Sequence, residues 1–287
     1  MTAIAEPSIT AKPSLSRAPS LPALALSRGA LELKMFFRER DAVIFTFALP
    51  VVLLILLGSI FDRAMPNGPE ASGVSSSQLL TAGMIAAGIG STGFVNLAIG
   101  ITSDREDGTL KRLHRAPLPP AAYFVGKVIL VLVTGLIELA IVLVLGALVF
   151  DLQVPTDPTR WLTFTWVFLL GVTACSLLGV AMSSVPRSVR SAAPIVNLPF
   201  LVLQFVSGIF IVPISLLPSA FQQVAALFPL KWLAQGFRSV LLSDSAAALE
   251  PAGAWEHGRI ALVLGAWCIG GFVLCLTTFR WQSRKDG

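Results

Sequence analysis

Six long apolar runs decide what this chain can fold into: Val43–Phe61, Leu79–Ile101, Val128–Phe150, Trp161–Met182, Pro194–Val212 and Ile260–Phe279. The first holds 19 residues without a charge. As a helix rising about 1.5 Å per residue it is about 28 Å long, close to the hydrocarbon thickness of a bilayer. Across all six runs the one acidic or basic side chain is Glu138. Strands of membrane barrels alternate polar and apolar positions over about ten residues. These runs are continuous and twice that length, so the spans are helical. Pro50 within the first is tolerated in a membrane helix. Composition agrees: 13% of residues are charged and 55% hydrophobic, where soluble domains carry about 25% charge. A soluble fold, a disordered chain, collagen and a disulfide scaffold are excluded. The fold class expected is an all-α polytopic membrane protein with six transmembrane helices.

Lysine and arginine in the connecting segments orient the spans. One side carries Lys12, Arg17, Arg28, Lys34, Arg38 and Arg40 before the first span, then Arg105, Lys111, Arg112, Arg115 and Lys127, then Arg187 and Arg190, and finally Arg280, Arg284 and Lys285. The other side has Arg63, Arg160, Lys231, Arg238 and Arg259. Sixteen against five makes both termini cytoplasmic. Ser219–Leu242 is apolar enough to suggest a seventh span, but it contains Lys231 and Arg238. A charge at a helix centre costs about 2.5–3.5 kcal/mol on insertion, and a seventh span would place the basic tail outside. Residues 213–258 are therefore expected to form external, non-spanning helices.

The flanks divide in two. Residues 1–21, rich in Ser, Pro and Ala, read as a disordered cytoplasmic tail without the apolar region of a signal peptide. Residues 22–42 place Leu24, Leu31, Met35 and Phe36 near helical spacing, with Arg28 and Glu32 at i,i+4. That pattern predicts an amphipathic helix on the cytoplasmic leaflet. Residues 280–287 form a short cytoplasmic tail.

Recognisable enzyme chemistry is missing from the sequence. Gly88-Ile89-Gly90-Ser91-Thr92-Gly93 has the lettering of a dinucleotide fingerprint, but that site needs a strand-to-helix turn. Inside a span, small residues let helices approach closely or line a pore. No P-loop is present: Ala121 stands where its first glycine belongs, and Gly126-Lys127 is followed by Val128. Any ATP must be hydrolysed by another chain. His114 and His257 fall on opposite sides of the membrane. Cys175, Cys268 and Cys275 all lie in spans, as small buried groups and not as a metal or disulfide frame. Glu138 is either a functional intramembrane carboxyl or a neutral acid hydrogen-bonded to a neighbouring helix. Asn96, Asn197 and Gln204 are expected to be buried and to bond between helices.

The densest charge cluster runs from Ser103 to Pro120, within the cytoplasmic loop 102–127. Gly108 suits a helix stop, Leu110 and Leu113 form an i,i+3 apolar pair, and Pro117, Pro119 and Pro120 stiffen the return to the third span. Such a short stiff helix can transmit force from a cytoplasmic partner; an ordinary positive-inside loop has the same composition.

The run Arg105-Glu106-Asp107-Gly108-Thr109-Leu110-Lys111-Arg112-Leu113, with Pro117-Leu118 and Gly126-Lys127 after it, resembles the hallmark of ABC-2 type permeases, the membrane subunits of ABC exporters of the daunorubicin-resistance kind. Phe37–Asp41 before the span with Pro50, and Ser207–Phe210 followed by Pro213, Pro218, Pro229 and Arg238, are similar to further parts of that family. The likeness covers about residues 25–280, and His114 departs from it. It implies six helices with a cytoplasmic elbow helix, and two such subunits, identical or homologous, paired around a pathway. It also implies separate ATPase subunits that hold ATP and Mg, this chain holding no cofactor, metal or catalytic residue. By the same likeness Arg105, Glu106, Asp107, Gly108, Thr109, Leu110, Arg112 and Leu113 couple to the ATPase, and the elbow touches it through Arg38 and Arg40. Spans two and five would line the pathway with Ser91, Thr92, Asn96, Asn197, Gln204 and Phe205. The implied activity is outward export of a lipophilic or amphipathic substrate (drug, lipid or glycan precursor) across a bacterial inner membrane. Its alternative is an ion-coupled secondary transporter with Glu138 as proton relay. The net charge of +5 sits mainly on the cytoplasmic side and is not a nucleic-acid signature.

Overall fold

The computed structural model describes residues 20–65, 73–115, 119–211 and 213–278. Pro117 and Leu118 of the expected loop, most of the first 21 residues and the 280–287 tail lie outside them. Among the described residues there are helices and no strands. Helix α1 is Leu21–Arg38 and α2 is Arg40–Ala64. Helix α3 runs from Ser76 to Glu106 and contains a π-helical turn over Ser91–Asn96. A short α4, Thr109–Arg115, precedes α5, Pro120–Val149. Then come α6, Pro158–Met182, α7, Val189–Val206, α8, Ser219–Leu227, α9, Pro229–Leu241, and α10, His257–Thr278. Six of these are long and apolar enough to cross a membrane: α2, α3, α5, α6, α7 and α10.

Polar caps set several boundaries beyond the apolar runs. Ser75 and Gln78 form a reciprocal capping box at the start of α3, satisfying two donors that the first helical turn leaves free. Asp62, at the end of α2, accepts from the Ser77 amide at 3.0 Å. Asp157 caps α6 and Ser188 caps α7. The fifth span is shorter than its hydropathy suggests. It stops at Val206, because Ser207–Gly208 turns with Gly208 at φ +70°, a conformation glycine adopts at little cost.

Helix α3 is the centre of the bundle. In its most apolar stretch 72% of residues are buried, against 17% for α2 and α10 and 22% for α7. The lettering Gly88-x-Gly90-x-x-Gly93 explains how. A Cβ on Gly88 would lie 2.1 Å from Oε1 of Glu138 on α5. One on Gly90 would lie 2.7 Å from the Phe200 ring on α7, and one on Gly93 3.0 Å from Cys175 Cβ on α6. Each glycine thus admits a different neighbour, which is small-residue packing between membrane helices. On α6 the approach is returned: a Cβ on Gly179 would sit 2.3 Å from the Gly93 carbonyl oxygen.

The outer helices attach by other means. The thiols of Cys268 and Cys275 on α10 donate to the carbonyls of Leu170 (3.6 Å) and Leu177 (3.2 Å) on α6. Both helices advance by seven residues between these contacts, the repeat of left-handed helix pairs. Residues 219–242 form two helices of 9 and 13 residues broken at Phe228–Pro229, and neither is among the helices long and apolar enough to cross a membrane. Every residue of α9 is buried. Arg238 donates to Glu250 at 2.6 Å and to the Gly208 carbonyl at 3.1 Å. Lys231 lies 4.3 Å from the Trp232 ring centre, and burial pulls its pKa below the ordinary lysine value.

Candidate functional site

The charged loop is built around two turns. Helix α3 ends at Glu106, Gly108 takes φ +72°, and the Arg112 amide bonds back to the Gly108 carbonyl at 3.0 Å to open α4. Leu110 is fully buried and Leu113 packs on the same core, so the i,i+3 pair anchors α4 to the bundle. Asp107 and Arg112 are exposed. Arg112 also donates to the Thr109 hydroxyl at 3.1 Å.

Arg105 and Glu106 are bonded to the turn between α6 and α7, Glu106 from an exposed position. The Arg105 guanidinium donates to the Ser183 carbonyl at 2.9 Å and to its hydroxyl at 3.3 Å. Thr102, one turn earlier, reaches the same carbonyl at 3.3 Å. Ser183 is the first residue beyond α6. Glu106 Oε2 accepts from the backbone N–H of Val189 at 2.6 Å, the first residue of α7. These two adjacent side chains therefore hold both ends of the turn between α6 and α7.

A second constellation lies beside the first and was not anticipated. Lys127 on α5 donates to Glu32 on α1 at 2.8 Å and pairs with Asp104 on α3 at 2.9 Å. Glu32 also takes Arg28 one turn away. The Tyr123 hydroxyl donates to Asp104 at 2.8 Å, and Arg28 and Lys127 stand 5.4 and 5.5 Å from its ring centre. Two positive and two negative groups neutralise one another around one phenol, joining α1, α3 and α5. A close backbone approach makes room: a Cβ on Gly126 would meet Arg28 Cγ at 2.6 Å and the Gly29 amide nitrogen at 3.2 Å. The helix expected over residues 22–42 divides into α1 and the start of α2, and α1 has two unlike faces. The charged face of α1 is turned into the protein, with Glu32 only 3% exposed, while Leu31 and Met35 face outward. The sequence signal was present in the i,i+4 pair Arg28/Glu32, but its partners lie far along the chain. Arg38 and Arg40 are exposed at the junction of α1 and α2.

The six pathway candidates separate. Asn96 and Asn197 are exposed and not buried as expected, and Phe205 is 44% exposed. Ser91 and Gln204 are half-buried. Thr92 is turned inward, its hydroxyl bonded to the Gly88 carbonyl at 3.0 Å. The Asn96 amide reaches Thr46 on α2 at 3.4 Å, whereas that of Asn197 bonds within its own helix, to Ala193. Helices α3 and α7 are neighbours here, with the Phe94 and Phe200 rings 6.1 Å apart. Glu138 does not make the expected bond to a neighbouring helix: both carboxyl oxygens are buried with no hydrogen-bond partner among the described residues. His257 meets Ser239 at 3.1 Å; the His114 side chain lies outside the described residues. Among the described residues no group of His, Cys, Asp or Glu could hold a metal ion.

The ABC-2 type transporter family matches residues 29–242, a stretch that includes the α1–α5 charge cluster, the Arg105–Glu106 turn and α9. "Putative transport permease ycf38" of Porphyra purpurea is 28% identical over 194 residues, 67% of this chain and 64% of that protein. Its namesake in Pyropia yezoensis is 29% identical over 233 residues, 79% of this chain and 74% of that protein. The chain thus spans a little under two thirds of the Porphyra protein's length. With six helices fit to span a membrane, a glycine-keyed central helix and a signature loop braced against the bundle, this chain belongs to the ABC-2 type transporter family.

Proposed function

We propose that the chain is the transmembrane permease subunit of an ATP-binding cassette exporter. It moves a lipophilic or amphipathic substrate outward, using ATP hydrolysed with Mg by a separate subunit. The observation that carries this reading is the loop: α4 is anchored by buried Leu110 and exposes Arg112, Asp107 is exposed just before it, and the last turn of α3 is braced to α5, α6 and α7 through Asp104, Arg105 and Glu106. A short helix fixed at its root and charged on its outer side is suited to receive a push from a docked protein. The Lys and Arg distribution supports placing this end in the cytoplasm, with α1 as the elbow helix beside it and Arg38 and Arg40 available to the same partner.

A second permease copy, identical or homologous, completes the pathway in this reading. Exposed Asn96 and Asn197 support it, because polar side chains on the outer surface of spans suit a facing subunit better than lipid. A wall of apolar side chains with scattered amides and hydroxyls suits an amphipathic cargo better than an ion, which needs charged or carbonyl rings. ATP binding drives the change of access only through different affinities for the two states. The natural home is a bacterial inner membrane.

The test is affinity purification of the tagged chain from its native membrane, followed by reconstitution into liposomes. The expected result is a co-purified P-loop ATPase whose association is weakened by Lys111→Glu/Arg112→Glu, and efflux of a lipophilic dye that needs ATP. Transport that persists without ATP and collapses with the proton gradient would overturn it.

A further inference from the structure

The loop signature is usefully divided by where its side chains go. Asp107, Arg112 and Glu106 are all exposed, but Arg105 and Glu106 are bonded to backbone groups of the turn between α6 and α7. Helix α7 shows what Glu106 does. Four N–H groups at the start of a helix have no intrahelical acceptor. The Ser188 hydroxyl accepts from the Ser191 amide, and the Ser191 hydroxyl from the Ser188 amide. The Val189 amide is bonded from outside the helix, by Glu106, 83 residues earlier in the chain. A carboxylate there also lies at the positive end of the helix dipole. On the other side of the turn, Arg105 and Thr102 share the Ser183 carbonyl, an acceptor left over where α6 ends. The last turn of α3 thus grips the last carbonyl region of one span and the first amide of the next.

We propose that Arg105 and Glu106 are positioning residues that tie α7 to the loop end of α3, so that a displacement of α4 is delivered to α7 through the Glu106–Val189 bond. This rests on the exporter reading given above and adds the route by which the push reaches the span that carries Asn197 and Phe205. The two alternatives are distinct: Glu106 could instead be a contact for the ATPase, or a cap that only stabilises α7. The glycines of α3 act within the bundle: Gly88 and Gly93 key it to α5 and α6, and Gly90 seats the Phe200 ring of α7. The Glu106–Val189 bond holds the other end of α7, at the loop.

Residue-resolved hydrogen exchange on the full chain in nanodiscs tests the tie without any partner. Glu106→Ala should speed exchange of the Val189 amide about tenfold, the effect of losing one charge-assisted bond. Glu106→Gln keeps an acceptor oxygen and should retain most of the protection, and Arg112→Ala should leave it unchanged. Unaltered Val189 exchange in both Glu106 variants would overturn the proposal whatever the chain transports. In the complex with its ATPase, a non-hydrolysable ATP analogue should alter exchange across residues 189–193 in the wild type. In Glu106→Ala that response should vanish while the ATPase still co-purifies, and Glu106→Gln should restore it. Loss of ATPase association in Glu106→Ala, or an α7 response that survives in it, would also overturn the proposal. Failure of any ATPase to bind the wild-type chain would instead defeat the exporter reading, and Val189 exchange would still decide whether the tie exists.

Discussion

Glu138 on α5 lies against Gly88 on α3 so closely that a single added methyl on the glycine would fall 2.1 Å from the carboxyl oxygen. The carboxyl itself is 2% exposed and has no hydrogen-bond partner. It fills a notch and satisfies nothing.

Replacing Glu138 with Met is therefore expected to leave the protein as stable or to raise its Tm in detergent, since an unpartnered buried acid is exchanged for an apolar group of similar length. Gly88→Ala, in contrast, should lower stability by about 1–3 kcal/mol through overpacking. Thermal unfolding followed by tryptophan fluorescence checks both. A large loss of stability in Glu138→Met would show that the acid has a partner.

The Lys127 ammonium pairs with two carboxylates at once. Lys127→Met should destabilise the fold by about 3 kcal/mol, because half-buried Asp104 loses its cation and buried Glu32 keeps only Arg28. Adding Glu32→Met should recover part of the loss, since the remaining charges, Arg28 and Asp104, then leave fewer uncompensated acids. Denaturant unfolding of the two single variants and the double variant gives the coupling, expected to exceed 1 kcal/mol in magnitude.

At the other end of the bundle, the Arg238–Glu250 pair is buried on both sides. Arg238→Met should cost about 3–5 kcal/mol, again by stranding a carboxylate, and it also frees the Gly208 carbonyl at the end of the fifth span. Limited proteolysis between α7 and α8 should become faster in this variant. Resistance equal to the wild type would count against a structural role for the pair.

The cysteines give an independent check on helix packing. Cys175 is 3% exposed, while Cys268 and Cys275 are half-buried with their thiols donated to α6. Maleimide labelling of the folded chain should leave Cys175 unmodified, and unfolding should expose all three. Intact mass under non-reducing conditions should match three free thiols.

Hydropathy was sufficient to place the six spans, because an uninterrupted apolar run has few other fates. It misjudged their ends where local chemistry overrides it. Ser75 extends α3 upstream of Leu79 by a capping box, and Gly208 cuts the fifth span before its apolar residues run out. Asp104 and Lys127 were visible as loop charges, but nothing local announces that Lys127 also meets Glu32. That contact spans 95 residues and depends on the Gly29–Gly126 approach. Asn96 and Asn197 failed in the opposite direction: a polar residue in a span suggests burial, yet one chain alone leaves both on its surface.

The backbone contact at Gly179 limits how α3 can move. With the Gly93 and Phe94 carbonyls lying where a Cβ of Gly179 would be, rotation of α3 about its own axis drives main chain into main chain over the π-helical turn. Spin is thereby removed from its degrees of freedom. What is left is tilting or sliding in company with α6, so in the exporter proposed above a stroke entering through α4 would travel as a lever and not as a screw.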